Sequence, residues 1–182
     1  VYDSCTECGR CSMICPMGIH IAEMVGINRQ AMAEAGLIPD ELRVMQEGQI
    51  EKGTIFEADK DVLQYKVDEI SEKLGFKLPV DEHTAEVLVL TSGLDIMLFN
   101  DAMAGTAKIM HHIGAPWSFC TEAYESANFG LLSGHEDTQR AASKKIIDTA
   151  VACGAKLIVT PECGHAFPSL RWEGAEMVGH EL

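Results

Sequence analysis

Four of the seven cysteines in this chain fall within eleven positions: Cys5, Cys8, Cys11 and Cys15, with Pro16 directly after them. They read C-x2-C-x2-C-x3-C-P, which is the ligand spacing of a [4Fe-4S] cluster. No other stretch constrains the chain as strongly. Three thiolates two residues apart, on a loop that contains a small residue such as Gly9, can wrap three corners of one iron–sulfur cube. Pro16 ends the loop and keeps the backbone from folding back over the sulfurs. Two rival readings fit less well. A zinc site prefers C-x2-C pairs separated by about a dozen residues or more, and no second pair is present. A disulfide framework suits a small secreted chain, and nothing in this sequence looks secreted.

The fourth cysteine raises a question. In two-cluster ferredoxins the last cysteine of such a run ligates the other cluster. On that logic Cys5, Cys8 and Cys11 hold one cube and Cys15 serves a second. The sequence starts at Val1 without an initiator Met and contains no second run. The expectation is therefore a piece of a longer polypeptide with the partner run upstream. The alternative is one cluster, completed by Cys15 or by a distant ligand, for which Cys120, Cys153 and Cys163 are the candidates.

Composition narrows the class. Hydrophobic residues make up 47% and charged residues 23% of the 182, the balance of a globular chain rather than a disordered one. With 28 acidic and 14 basic residues the formal charge is −14, which argues against nucleic acid, whose phosphates need a basic footprint. An acidic surface suits a soluble redox subunit that docks on a basic partner. No apolar run is long enough for a transmembrane helix. Clustered cysteines fit a reducing compartment and metal ligation.

Periodicity divides the chain at about residue 76. Ile21, Met24, Val25, Met32 and Ala35 form a helical stripe stopped by Gly36, so the cluster loop feeds directly into a helix of about five turns. Pro39-Asp40-Glu41 opens a second helix, expected to run to Gly48, and residues 48–58 read as linker. A third helix spans Asp59 to Leu74, with Leu63, Val67, Ile70 and Leu74 on one face and Gly75 at its end. From Glu86 the chain alternates strand and helix. Strands are expected at 87–91, 117–120 and 156–160, and helices at 95–113 and 135–153, with a short helix or loop over 122–134. Strands separated by helices of this length pair in parallel. The fold class is α/β: a helical ferredoxin-type segment over 1–76, then a parallel-sheet half-domain over 77–182. Residues 164–182 read as an irregular tail with at most one helical turn.

In an open parallel sheet, ligands bind beyond the carboxyl ends of the strands. Ser92-Gly93, Cys120-Thr121-Glu122 and Pro161-Glu162-Cys163-Gly164-His165 meet that description. Cys163 with His165 is balanced between a ligand or redox role and a plain turn. Cys120 and Cys153 read as packing residues. His20 either tunes the cluster or starts a helix, and His111-His112 read as solvated or capping. Neither a G-x-G-x-x-G after a strand nor a G-x4-G-K-[ST] loop is present, so no nucleotide site is expected.

The pattern resembles the iron–sulfur oxidoreductases related to heterodisulfide reductase. The likeness rests on Cys15-Pro16-Met17-Gly18-Ile19 closing the cluster run, a helical spacer, and then an α/β half. The resemblance implies two ferredoxin runs followed by two cysteine-rich "CCG" half-domains that bind the catalytic iron–sulfur site. This chain departs from the half-domain pattern. Ser92-Gly93 stands where a cysteine is expected after the first strand. Asn128-Phe129-Gly130 stands for Cys-Cys-Gly, and Thr160-Pro161-Glu162-Cys163 for C-x2-C. Gly130 and Cys163 alone survive. The half-domain is therefore expected to be a structural one, supporting a cysteine-complete half beyond Leu182, unless Cys163 and His165 keep part of a modified site. The function implied is single-electron relay toward a thiol–disulfide or sulfur-compound site. The implied partners are quinone-linked or flavin-containing redox subunits. The implied location is the cytoplasm, free or held at the inner face of the membrane through a partner. The rival from another class is an interaction scaffold with a structural cluster.

Overall fold

The computed structural model describes residues 1–161 and 163–179. The helical segment comprises α1 (Arg10–Ile14), α2 (Ile21–Glu34), α3 (Asp40–Lys52) and α4 (Lys60–Leu74). The half-domain follows with β1 (Val87–Val89), α5 (Gly93–Met97), α6 (Asn100–Ile113), β2 (Trp117–Ser118), α7 (Phe129–Ser133), α8 (Glu136–Cys153) and β3 (Leu157–Val159). The chain closes with α9 (Ala166–Pro168), a π-helical stretch over Ser169–Gly174, and α10 (Ala175–Val178).

The three strands form one parallel sheet in the order β2-β1-β3, so the expected α/β class holds. Val87 faces Trp117 on one side and Leu157 on the other. Alternation along β1 sends successive side chains to opposite layers. Val87 and Val89 pack with Leu63, Val67 and Ile70 of α4 and Met103, Ala107 and Met110 of α6. Leu88 and Leu90 pack with Ile146, Ile147 and Ala150 of α8 and with Leu170. Both faces are covered, as an all-parallel sheet requires. α4 precedes the sequence boundary at residue 76, yet its apolar face shares a core with β1 and α6.

Local signals explain the element ends. The Asp59 carboxylate accepts from the N–H groups of Asp61 and Val62 and starts α4. The His135 ring nitrogen accepts from the Thr138 N–H at 3.3 Å and starts α8. Several expected bounds shift. α2, over Ile21–Glu34, is about four turns rather than five, and α3 runs through Gly48 to Lys52. The single helix expected over 95–113 is two, α5 and α6, parted at Leu98 and Phe99. The tail expected to be irregular is helical from Ala166 to Val178. It is held on α8 by Ser143 Oγ donating to the Ser169 carbonyl at 3.2 Å and by Arg140 Nη1 donating to the Met177 carbonyl at 2.7 Å.

Buried polar ties lock the spacer to the sheet edge. Gln49 Nε2 donates to the Ala127 carbonyl at 2.6 Å, and its Oε1 accepts from the Phe129 N–H at 2.9 Å. The Glu125 carboxylate accepts from Thr54 Oγ1 at 2.9 Å, from the Gly93 N–H at 3.0 Å and from the Ala127 N–H at 3.0 Å. A buried carboxylate with this many donors is a fixed joint. It sits beyond the carboxyl end of β1, where Thr91 bridges to Glu125. In this fold that place is the ligand crevice; here Thr54, Ile55 and Glu125 meet at it.

Candidate metal centre

The four clustered cysteines lie on a loop, one turn of helix and its exit. Glu7 has φ 53° and Gly9 φ 72°, so Cys8 sits between two left-handed residues. That pair of reversals turns backbone N–H groups toward sulfur. The Glu7 N–H donates to Cys5 Sγ at 3.4 Å. The Arg10 N–H, and after it the Thr6 side chain, holds the Cys8 thiol below its ordinary value. Cys11 lies within α1, and Cys15 caps its end in extended conformation. The Gly18 N–H donates to the Cys15 carbonyl at 3.1 Å, which closes the turn after Pro16. Ser12 Oγ accepts from the Ala22 N–H at 2.9 Å and fixes the loop on the start of α2.

Cys8 is exposed, while Cys5, Cys11 and Cys15 are half-buried, and none of the four is in a disulfide. Among the described residues no three His, Cys, Asp or Glu side chains gather closely enough to hold a single metal ion. An iron–sulfur cube makes a different demand: it takes one thiolate at each iron, so its ligands surround it instead of converging on one point. The donor set fits such a cube. Four undisulfided thiols lie on one short segment, one of them shifted toward thiolate, with N–H groups already aimed at sulfur.

Behind the loop is a polar cluster that periodicity does not reveal. Arg29 of α2 is 1% exposed. Its Nη1 lies 3.3 Å from the Glu7 carboxylate, and its Nη2 donates to the Cys5 carbonyl at 2.5 Å. Burial pushes the Glu7 carboxyl up to about 7, against the opposing pull of Arg29. The one sequence signal is a charged residue on the stripe that Val25 and Met32 continue.

The remaining candidates are scattered. Cys120 is buried beside Leu88 and Leu90, and burial raises its thiol pKa. Cys153, the last residue of α8, lines a cavity of about 440 Å³ together with Cys120. Cys163 is half-buried with φ 65°, and His165 precedes α9; Glu162, between the third strand and Cys163, lies outside the described residues. His20 is exposed at the start of α2. The His111 ring stacks on Phe76 at 4.0 Å.

Capping residues hold two places where the resemblance calls for cysteine. Ser92 Oγ accepts from the Asp95 N–H at 3.2 Å and starts α5. Asn128 Oδ1 accepts from the Leu131 N–H at 3.3 Å and starts α7, while its Nδ2 donates to the Gln139 carbonyl at 3.1 Å. Gly130, the surviving glycine, packs on α8 so tightly that a Cβ would meet the Gln139 nitrogen at 2.1 Å.

No family model matches the chain. No solved structure matches it either. The chain is 26% identical over 180 residues to the Hdr-like menaquinol oxidoreductase iron-sulfur subunit 2 of Archaeoglobus fulgidus. It is 28% identical over 173 residues to the Hdr-like menaquinol oxidoreductase iron-sulfur subunit of Archaeoglobus profundus. Each match covers 88% of this chain and 31% of the relative, so the chain spans about a third of the length of these relatives. The resemblance drawn from the cysteine run and the α/β half is borne out: the chain is related, over most of its length, to Hdr-like iron–sulfur proteins.

Proposed function

We propose that this chain is the cluster-bearing part of an iron–sulfur electron-transfer subunit in an Hdr-like oxidoreductase. The cysteine run on a loop whose N–H groups face the sulfurs carries the reading, and the names of the two relatives support it. When bound, a [4Fe-4S] cluster supplies one-electron transfer. Cys5, Cys8 and Cys11 hold it. Cys15 serves a neighbouring cluster whose other ligands come from a second run, or completes this one where no neighbour exists.

The surroundings suit a relay. Met13, Ile14 and Met17 beside the run are exposed, as are Met24 and Ile27 on α2. Apolar side chains massed round a redox centre exclude water on contact and mark a docking face. We assign that face to a redox partner subunit, on the quinone or flavin side of the relay, with basic residues to meet this chain's charge of −14. No described helix is long and apolar enough to cross a membrane. We place the chain in the cytoplasm, free or held at the inner membrane face through that partner, a reading that the menaquinol in the relatives' names supports. Because Ser92 and Asn128 act as caps, the half-domain here serves as support, and the thiol–disulfide or sulfur-compound chemistry belongs to another half.

The test is iron and acid-labile sulfide per chain on anaerobically purified protein, with EPR after dithionite reduction. About four irons give one cluster completed by Cys15 or a distant cysteine, and about eight give two clusters. Zinc without iron overturns the proposal, since Zn²⁺ carries no redox chemistry.

A further inference from the structure

Arg29 makes a set of contacts that packing alone does not require. It is buried, and its Nη2 donates to the Cys5 carbonyl at 2.5 Å and to the Val1 carbonyl at 3.4 Å. Its Nη1 pairs with Glu7 at 3.3 Å. Its guanidinium carbon lies 5.2 Å from the centre of the Tyr2 ring. The Tyr2 hydroxyl donates to the Ser133 carbonyl at 2.8 Å and reaches the Arg29 carbonyl at 3.3 Å. Arg29 thus grips residues 1–7 from α2, and Tyr2 fastens the same segment to the end of α7.

A buried ion pair is a poor stabiliser: desolvation offsets its Coulomb gain, and well-packed apolar residues commonly do as well. What arginine adds is direction. It holds the Cys5 carbonyl at one end of a three-residue turn and the Glu7 carboxylate at the other. Between them the Glu7 N–H is aimed at Cys5 Sγ, with Glu7 kept at φ 53°, a conformation non-glycine residues rarely adopt.

We infer that Arg29 is a positioning residue for the cluster, setting the direction of the Cys5 thiolate by clamping the Cys5–Glu7 turn against α2. The inference rests on the cluster assignment above. It assigns a role to a residue outside the cysteine run, one that acts through the first ligand rather than by touching the cluster.

The experiment uses the full chain with its cluster and compares Arg29→Lys with the double variant Arg29→Gln/Glu7→Gln. The double variant leaves no unpaired buried charge, so it folds where Arg29→Gln alone would leave Glu7 stranded. Gln46→Ala is the control; it removes a buried hydrogen bond to Thr138, away from the loop. Iron release to a chelator, the EPR spectrum of the reduced protein and the melting temperature are read on each.

Outer-shell partners typically change metal retention about 10–100-fold. The double variant is expected to release iron faster by about that factor, with an altered EPR line shape. Arg29→Lys, which keeps the charge but loses the fork, falls between it and the unsubstituted protein. Gln46→Ala lowers the melting temperature and leaves iron release and the spectrum alone. Unchanged release and spectrum in the double variant overturn the inference. So does iron release that follows melting temperature equally in all variants, because Arg29 would then be structural only. Lack of iron and sulfide in the unsubstituted protein is a separate result and overturns the cluster assignment, and this inference with it.

Discussion

Gly134 lies against the backbone of Arg29 so closely that a Cβ there would stand 2.4 Å from the Arg29 carbonyl carbon. The contact joins the end of α7 to the middle of α2, at the residue that grips the cluster loop. Gly134 also has φ 79°, which side chains rarely adopt. Gly134→Ala therefore meets two penalties at one place. Overpacking of this kind costs about 1–3 kcal/mol, and the left-handed backbone adds to it. Urea unfolding should show a lower midpoint with an unchanged slope. An unchanged midpoint would mean that α2 and α7 do not touch as described.

The Asn128 cap yields a second expectation. Its side chain starts α7 and donates to the Gln139 carbonyl of α8. Asn128→Ala removes the cap, a loss of about 0.5–2 kcal/mol. It also removes the ties from Nδ2 to the Gln139 carbonyl and the Ser143 hydroxyl of α8, so the observed loss should lie at the upper end of that range or beyond it. Iron content per folded chain should stay the same, because the residue stands in place of a ligand and is not one. A fall in iron with no fall in stability would give this half-domain a metal role after all.

A third expectation concerns pH. Glu173 lies on the π-helical stretch, and burial raises its carboxyl pKa above 4.5, partly offset by a hydrogen bond from Gln139. A raised folded pKa means that the folded chain binds a proton more tightly than the unfolded chain. The stability it contributes is full below the unfolded carboxyl pKa and is lost as pH rises through the folded one. Glu173→Gln keeps the shape and removes that titration. Melting curves of the cluster-free chain from pH 4 to 8 should fall less steeply with pH in the variant. Parallel curves would mean that Glu173 titrates normally.

How far the sequence speaks depends on the kind of signal. The cysteine run is legible because ligand spacing is written in consecutive residues. β1 is legible as a short continuous apolar run, and α4 because its apolar residues follow one period between Asp59 and Gly75. The tail is not: Pro168 and Gly174 lie inside it and argue for a break, while the structure carries the helix through them with a π-helical stretch over Ser169–Gly174. The helix over 95–113 hides its break because Leu98 and Phe99 are apolar, although both are exposed. Arg29 and Glu125 are the deepest omissions. Each is a single charged residue whose side-chain partner lies far off in the chain, Glu7 for Arg29 and Thr54 for Glu125, and no local pattern connects them.

Thiol chemistry separates the cysteines by role. Reactivity follows thiolate fraction and access together. Cys8 is exposed and its thiol is held below the ordinary value, chiefly by the Arg10 N–H. Cys120 is buried in apolar surroundings and its thiol is pushed up. In the cluster-free, fully reduced chain, iodoacetamide should modify Cys8 first and Cys120 last, as read by peptide mass spectrometry over a time course. In the anaerobic, cluster-loaded chain Cys8 should be protected, because its sulfur is then bound to iron, while Cys120 stays as slow as before. Unfolding in urea should bring Cys120 up to the rate of an ordinary thiol. If Cys8 is modified equally fast with and without iron in the protein, it is not a ligand, and the cluster must be held by the other cysteines of the run.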